Sequence, residues 1–88
     1  VADHVMQRAR AAYFAYLAFL DAQIGRLVET MSRSGVLGET LTLFTSDHGE
    51  MLGDHHLWRK TYAYEASSRV PFILRPPAAF VAPRNVEV

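Results

Sequence analysis

LTLFTSDHGEMLGDHHLWRK, residues 41–60, is the stretch from which the rest of this chain is best read. An apolar run, Leu41 to Thr45, stops at Ser46-Asp47-His48-Gly49-Glu50. Three of the four histidines (His48, His55, His56) then lie close to Asp47, Glu50 and Asp54, and the basic pair Arg59-Lys60 directly follows Trp58. A charge-rich loop at the end of an apolar strand is the usual position of a site in an α/β sheet. Leu41–Thr45 is short and lacks clean alternation, which suits a strand buried on both faces of a parallel sheet. A short buried helix segment fits the same run equally well.

Upstream, Asp3 reads as the N-cap of a helix continuing to Ser34, with Gly35 as its stop. Tyr13, Leu17, Leu20, Ile24, Leu27, Val28 and Met31 form one apolar stripe, while Gln23, Arg26, Glu29 and Arg33 line the opposite side. Phe14, Tyr16 and Phe19 add apolar surface outside the stripe. At about 1.5 Å per residue such a helix is roughly 45 Å long, more than the diameter of a compact domain of this length. A helix leading into Leu41–Thr45 favours the strand reading, since helix-then-strand is half of a βαβ unit.

Downstream, Gly49 and Gly53 punctuate the loop, and Tyr62–Ser67 is expected to form one helical turn. Val70–Arg75 reads as a second strand, which Pro71 confines to a strand start or an edge. Pro76-Pro77 ends it, and Ala78–Val88 is irregular. The expected fold class is thus α/β: a fragment of a mixed, mostly parallel sheet flanked by helices, with a long helix 3–34, a strand 41–45, a loop 46–60 and a strand 70–75. Two strands and one helix leave much apolar surface without cover. Residues 1–88 are therefore expected to be a single segment of a larger domain, with the rest of that domain or another chain covering the helix.

The formal net charge is zero and half the residues are hydrophobic, so nothing attracts a polyanion, and nucleic-acid or anionic-membrane partners are disfavoured. No cysteine is present, which removes disulfides and thiolate metal sites. Val1–Met6 lacks the basic and apolar regions of a signal peptide, and the longest apolar run, Ala11–Leu20, falls well short of the ~20 residues that span a bilayer.

Asp47 and His48 together suit a hard or borderline divalent ion such as Mg²⁺, Ca²⁺, Mn²⁺ or Zn²⁺, with Gly49 permitting the sharp turn that adjacent ligands need. The alternative is a turn-capping aspartate beside an ordinary loop histidine. Asp54-His55-His56 is a second candidate cluster, of which one histidine at most serves the same site; two solvated histidines are the alternative. Glu50 reads as a helix-start or solvated carboxylate in preference to a ligand, and Trp58 as a core or lid aromatic in preference to a substrate platform. Lys60 offers a compact positive charge for a tetrahedral oxyanion, or is a surface lysine.

Thr45-Ser46-Asp47-His48-Gly49-Glu50-Met51-Leu52-Gly53-Asp54-His55, then Leu57-Trp58-Arg59-Lys60, Tyr64-Glu65 and Arg69-Val70-Pro71-Phe72, closely resemble the C-terminal metal-loop block of the sulfatase family. Tyr13, Leu20-Asp21, Gln23 to Leu27 and Gly35-Val36-Leu37 resemble the helix that precedes this block, so the resemblance covers residues 8–76. The family belongs to the alkaline phosphatase superfamily and includes arylsulfatases, choline sulfatases and phosphonate monoester hydrolases. The resemblance implies that Asp47 and His48 are metal ligands, that Lys60 contacts the sulfate or phosphate oxygens, and that His55 is a substrate-side loop histidine. It also implies a divalent metal cofactor: Ca²⁺ or Mg²⁺, or Mn²⁺ or Zn²⁺ for a phosphonate or phosphodiester enzyme. Tyr64, Glu65, Arg69 and Pro71 match positions that support the next strand.

The chain departs from the family pattern in four ways. The Cys/Ser-x-Pro-x-Arg motif that yields the formylglycine nucleophile is absent here and is expected elsewhere in the full-length protein. So is the N-terminal Asp-Asp pair of metal ligands. His56 and Ala66 stand where the family commonly has glycine. The leading expectation is therefore part of a metal-dependent hydrolase acting on a small sulfate ester, the isolated chain being inactive. The alternatives are a phosphonate monoester or phosphodiester hydrolase of the same superfamily, and a non-catalytic assembly module built on the long helix.

Overall fold

The computed structural model describes residues 2–60 and 62–80. In order it contains α1 (Asp3–Arg33), a 3₁₀ turn (Leu37–Glu39), β1 (Thr42–Thr45), a second such turn (Asp54–His56), α2 (Glu65–Ser68) and β2 (Phe72–Arg75). The long helix lies where the apolar spacing predicts it. Its N-cap is Ala2, which has no side-chain cap bond, rather than Asp3. Asp3 sits in the first turn, where a carboxylate meets the positive end of the helix dipole. At the other end the Ser34 amide donates to the Thr30 carbonyl and the Gly35 amide to the Ser32 carbonyl. Gly35 has φ +79°, the left-handed residue that ends many helices.

The sheet differs from expectation. β1 and β2 pair antiparallel, in the register Thr42↔Arg75, Leu43↔Leu74, Phe44↔Ile73 and Thr45↔Phe72. A parallel pair needs a crossover that carries the chain back to the starting end of the first strand. Here the intervening segment doubles back on itself instead, and the Gly49 amide donates to the Ser67 carbonyl at 2.8 Å, close to where β1 leaves and β2 enters. α2 spans only four residues and makes no crossover. β1 is also not buried on both faces, since Leu43, Phe44 and Thr45 are exposed and only Thr42 is half-buried. Pro71 stands just before the first residue of β2, in keeping with its missing N–H.

Little of this chain is interior. Among the described residues Met51, at 2% exposure, is the one buried large hydrophobic side chain, and α1 buries no residue. Leu17, Leu20 and Ile24 of the helix stripe share a cleft with Phe44 of β1. Phe14, Tyr16 and Phe19 point away and are more than half exposed, as the sequence pattern implies. The radius of gyration is 17.4 Å and the long axis 52 Å, against about 12 Å for the radius of a compact domain of this length. No helix among the described residues is long and apolar enough to cross a membrane. Residues 81–88, the end of the expected irregular tail, lie outside the described residues.

What organises the centre is Gly49. It does not have the positive φ of a sharp turn, so its value is not the conformational freedom the sequence reading gave it. A Cβ there would run into the Ala66 carbonyl oxygen and sit within 3.2 Å of the Arg69 carbonyl oxygen. The backbone after β1 is pressed against the backbone of α2, and only glycine fits. Gly49→Ala in the intact protein is accordingly expected to cost about 1–3 kcal/mol through overpacking. A thermal denaturation midpoint unchanged by the substitution would contradict this contact.

Candidate functional site

Asp47 and His48 follow β1 directly. The Ser46 hydroxyl donates to the His48 carbonyl at 2.7 Å, which folds the backbone tightly at the strand end. His48 Nδ1 lies 2.7 Å from the Gly49 carbonyl oxygen. A carbonyl carries no proton, so Nδ1 carries the hydrogen, and in the neutral ring Nε2 presents a lone pair. That Nε2 lies 3.7 Å from Asp47 Oδ1. Two lone-pair atoms facing one another are joined by either a proton or a metal ion. At 3.7 Å the pair is too far apart to share a proton in a hydrogen bond, whereas donor atoms bonded to one ion at about 2.0–2.4 Å can lie up to roughly 4 Å or slightly more apart. The Asp47 side chain is 83% exposed and that of His48 36% exposed, so the pair opens outward rather than into the chain's own interior.

The donor set fits a divalent cation in part. A carboxylate and a tautomer-fixed imidazole on adjacent residues are two ligands of the right chemistry, and the backbone carbonyl on Nδ1 is the usual outer partner of a metal-bound histidine. Among the described residues no group of three or more His, Asp or Glu side chains converges on one point. Among the described residues Asp47 and His48 are thus the pair that could hold a metal ion, and Asp54, His55 and Glu50 do not converge with them.

Residues 50–59 close into a compact loop. Met51 N–H donates to the Arg59 carbonyl at 2.9 Å and Gly53 N–H to the Leu57 carbonyl at 2.8 Å. Glu50 is neither a helix-start nor a simply solvated carboxylate: its Oε1 accepts the Arg59 amide at 2.6 Å and the Leu52 amide at 3.3 Å. Sequence spacing gave no sign of this, because the bond spans residues that only the folded loop brings together. Leu52, His55, His56 and Arg59 all have positive φ, between 49° and 66°. Such a conformation costs an L-residue on the order of 1–2 kcal/mol. The loop is therefore held against strain by Met51 packing, by these hydrogen bonds and by α1. From α1, Arg10 Nε donates to the Leu52 carbonyl at 2.8 Å, and the Met6 side chain fills the space where Gly53 lacks a side chain.

The remaining candidates sit on the rim. His55 is exposed and stacks on Tyr64, ring centroids 4.2 Å apart and planes at 15°. That stack, not the Asp47–His48 pair, is the contact the structure gives it. His56 is exposed on the turn. Lys60 is exposed just past Arg59, and no hydrogen bond or ion pair among the described residues holds its side chain. Trp58 is half-buried. Buried Ser67, 6% exposed, was not singled out in the sequence; its hydroxyl bonds the carbonyls of Tyr62 and Tyr64 and secures the start of α2. His48, Gly49 and Glu50 form one wall of a cleft of about 450 Å³, with Tyr13, Leu17 and Leu20 of α1 opposite.

A sequence model of the sulfatase family matches residues 2–88. The chain belongs to the sulfatase family. Among curated proteins it is 44% identical over 77 residues to a choline-sulfatase of Rhizobium meliloti, a match that takes in 88% of this chain and 15% of that protein. It is 47% identical over 72 residues to an arylsulfatase of Clostridium perfringens, covering 82% of this chain and 15% of that one. Against the iduronate 2-sulfatase of Homo sapiens it is 37% identical over 71 residues, 81% of this chain and 13% of the relative. The chain thus spans about one-seventh of the length of these relatives.

The family resemblance placed glycine at the position of His56, and the backbone explains why: φ there is +60°, where glycine rests without strain. His56→Gly is expected to raise the stability of the intact protein by about 1 kcal/mol, and His56→Val to lower it by a similar amount or more. Chemical denaturation of the two variants checks this, and equal midpoints would contradict the left-handed assignment.

Proposed function

We propose that this chain is a segment of the catalytic domain of a metal-dependent sulfate-ester hydrolase, in which Asp47 and His48 are metal ligands and Lys60 contacts the oxygens of the transferred group. The observation that carries the reading is the Asp47–His48 pair: a carboxylate oxygen 3.7 Å from an imidazole nitrogen whose tautomer is fixed by the Gly49 carbonyl. Membership of the sulfatase family supports the reaction class. Relatives named choline-sulfatase and arylsulfatase support a small sulfate ester as substrate.

When bound, the ion supplies Lewis-acid polarisation of the ester oxygens. Asp47 contributes a negative charge that the ion needs, and His48 a neutral ligand oriented by its own backbone. The Ser46 hydroxyl holds the turn on which both stand. Lys60 contributes a positive charge that complements negative charge developing on the non-bridging oxygens, an effect that grows as water is excluded. His55, stacked on Tyr64, borders the substrate side without taking part in proton transfer. The chain contains no cysteine and no Cys/Ser-x-Pro-x-Arg motif, so the formylglycine nucleophile and the remaining metal ligands belong to other parts of the enzyme.

A phosphonate monoester or phosphodiester substrate is the second reading. Its specific support is the imidazole ligand itself, because a neutral nitrogen donor suits Mn²⁺ or Zn²⁺ better than Ca²⁺.

Two substitutions in the full-length enzyme test the assignment. Asp47→Asn is expected to lower metal content at least tenfold at limiting metal, measured by elemental analysis. Lys60→Ala is expected to keep the metal and lower kcat/KM on an aryl sulfate by about 10²–10³-fold, the size usual for a lost oxyanion contact. Wild-type metal content in the first together with wild-type kinetics in the second would overturn both roles. Faster turnover of a phosphonate monoester than of the aryl sulfate would favour the second reading. The isolated 88-residue chain is expected to show no turnover above a buffer blank.

A further inference from the structure

We infer that Glu50 is a positioning residue for Lys60, tying the lysine to the metal-ligand turn; this rests on the role proposed for Lys60 above. Glu50 stands two residues after His48, and its Oε1 accepts the amide of Arg59, the residue before Lys60, at 2.6 Å. Along the chain His48 and Lys60 are separated by a whole loop. Through the Glu50–Arg59 bond they are separated by two residues on one side and one on the other. Met51 N–H to the Arg59 carbonyl at 2.9 Å makes a second bond at the same place. Together they fasten the two ends of the loop as a short ladder would.

The backbone amides that Glu50 takes are not arbitrary ones. They belong to Leu52 and Arg59, with φ of 49° and 66°, two of the left-handed residues of the loop. Both N–H groups reach the same carboxylate oxygen, so one negatively charged acceptor serves two backbone donors from opposite ends of the loop. Bonds from amides to a carboxylate are roughly twice as strong as neutral ones, enough to offset the unfavourable backbone at both residues. Without this acceptor, Arg59 is free to relax towards an ordinary φ, and Lys60 swings with it. A long, flexible lysine side chain cannot by itself hold a charge in a fixed place. The fixed point is the backbone at Arg59, and Glu50 fixes it.

Gln retains a side-chain oxygen at the same reach, whereas Ala removes it and Asp withdraws it by one methylene. In the metal-loaded full-length enzyme, Glu50→Ala is expected to lower kcat/KM on an aryl sulfate about 10–100-fold with metal content unchanged, and Glu50→Gln, which keeps an oxygen at that reach but not its charge, to lose less, about 3–10-fold. The deciding measurement is a double-mutant cycle with Lys60→Ala. If Glu50 acts through Lys60, adding Glu50→Ala to Lys60→Ala lowers kcat/KM less than 3-fold further. If the full factor is lost again, Glu50 supports the fold in general and the inference is overturned. Glu50→Asp carries the same cycle if Glu50→Ala does not yield soluble enzyme. A Lys60→Ala enzyme with wild-type activity instead removes the role proposed for Lys60. A fall in metal content in Glu50→Ala or Glu50→Asp with Lys60→Ala inactive removes only the positioning role.

Discussion

The missing side chain at Gly49 is the constraint on which this structure turns. With no Cβ, the backbone leaving β1 lies directly against the carbonyls of Ala66 and Arg69, and its amide bonds the Ser67 carbonyl. That single close approach does three things. It brings β2 back beside β1, which makes the pair antiparallel. It closes the segment between them into a loop whose ends are neighbours. It also leaves the Gly49 carbonyl facing His48 Nδ1, so that the imidazole presents Nε2 next to Asp47.

The loop itself is maintained at an energetic cost. Four non-glycine residues in left-handed backbone would open an unsupported loop. Here Met51 plugs its centre, Glu50 and Arg10 take up its polar backbone groups, and Met6 closes its outer side. The polar contacts are largely backbone-directed, and the exposed charged or imidazole side chains include Asp47, Asp54, His55, His56, Arg59 and Lys60. A rigid loop with exposed charged tips is what a site shared with other parts of a protein requires. The exposed apolar surface of Phe14, Tyr16, Phe19 and both strands is consistent with the same arrangement.

Some of this was legible from residues alone, and the limits have physical reasons. The long helix, both strands and the glycine at its C-terminal end follow from local periodicity and turn chemistry, which a single sequence carries in full. Strand direction does not, because it depends on the Gly49–Ser67 contact between residues far apart in sequence. The importance of Gly49 was visible but its cause was not: steric exclusion by α2 leaves no local trace, whereas a positive φ at Gly35 does. Glu50 looked like a solvated carboxylate for a similar reason, since its partners are backbone amides with no identity in the sequence. The pairing of Asp47 with His48 is adjacent in the chain, and adjacency is something a sequence shows directly. Lys60 is marked in the sequence by its charge a few residues past the Asp47–His48 turn as well as by the resemblance, and its place at the end of the Glu50-fastened loop gives it a structural setting.

In the proposed site His48 meets a metal ion through Nε2, because its Nδ1–H is committed to the Gly49 carbonyl. An anomalous-difference map from crystals of the Mn²⁺-loaded full-length enzyme tests it most directly. The expected result is a single anomalous peak within bonding distance of both Asp47 Oδ1 and His48 Nε2, with His48 Nδ1 still on the Gly49 carbonyl. A peak coordinated through Nδ1, or one that neither residue touches, would contradict it.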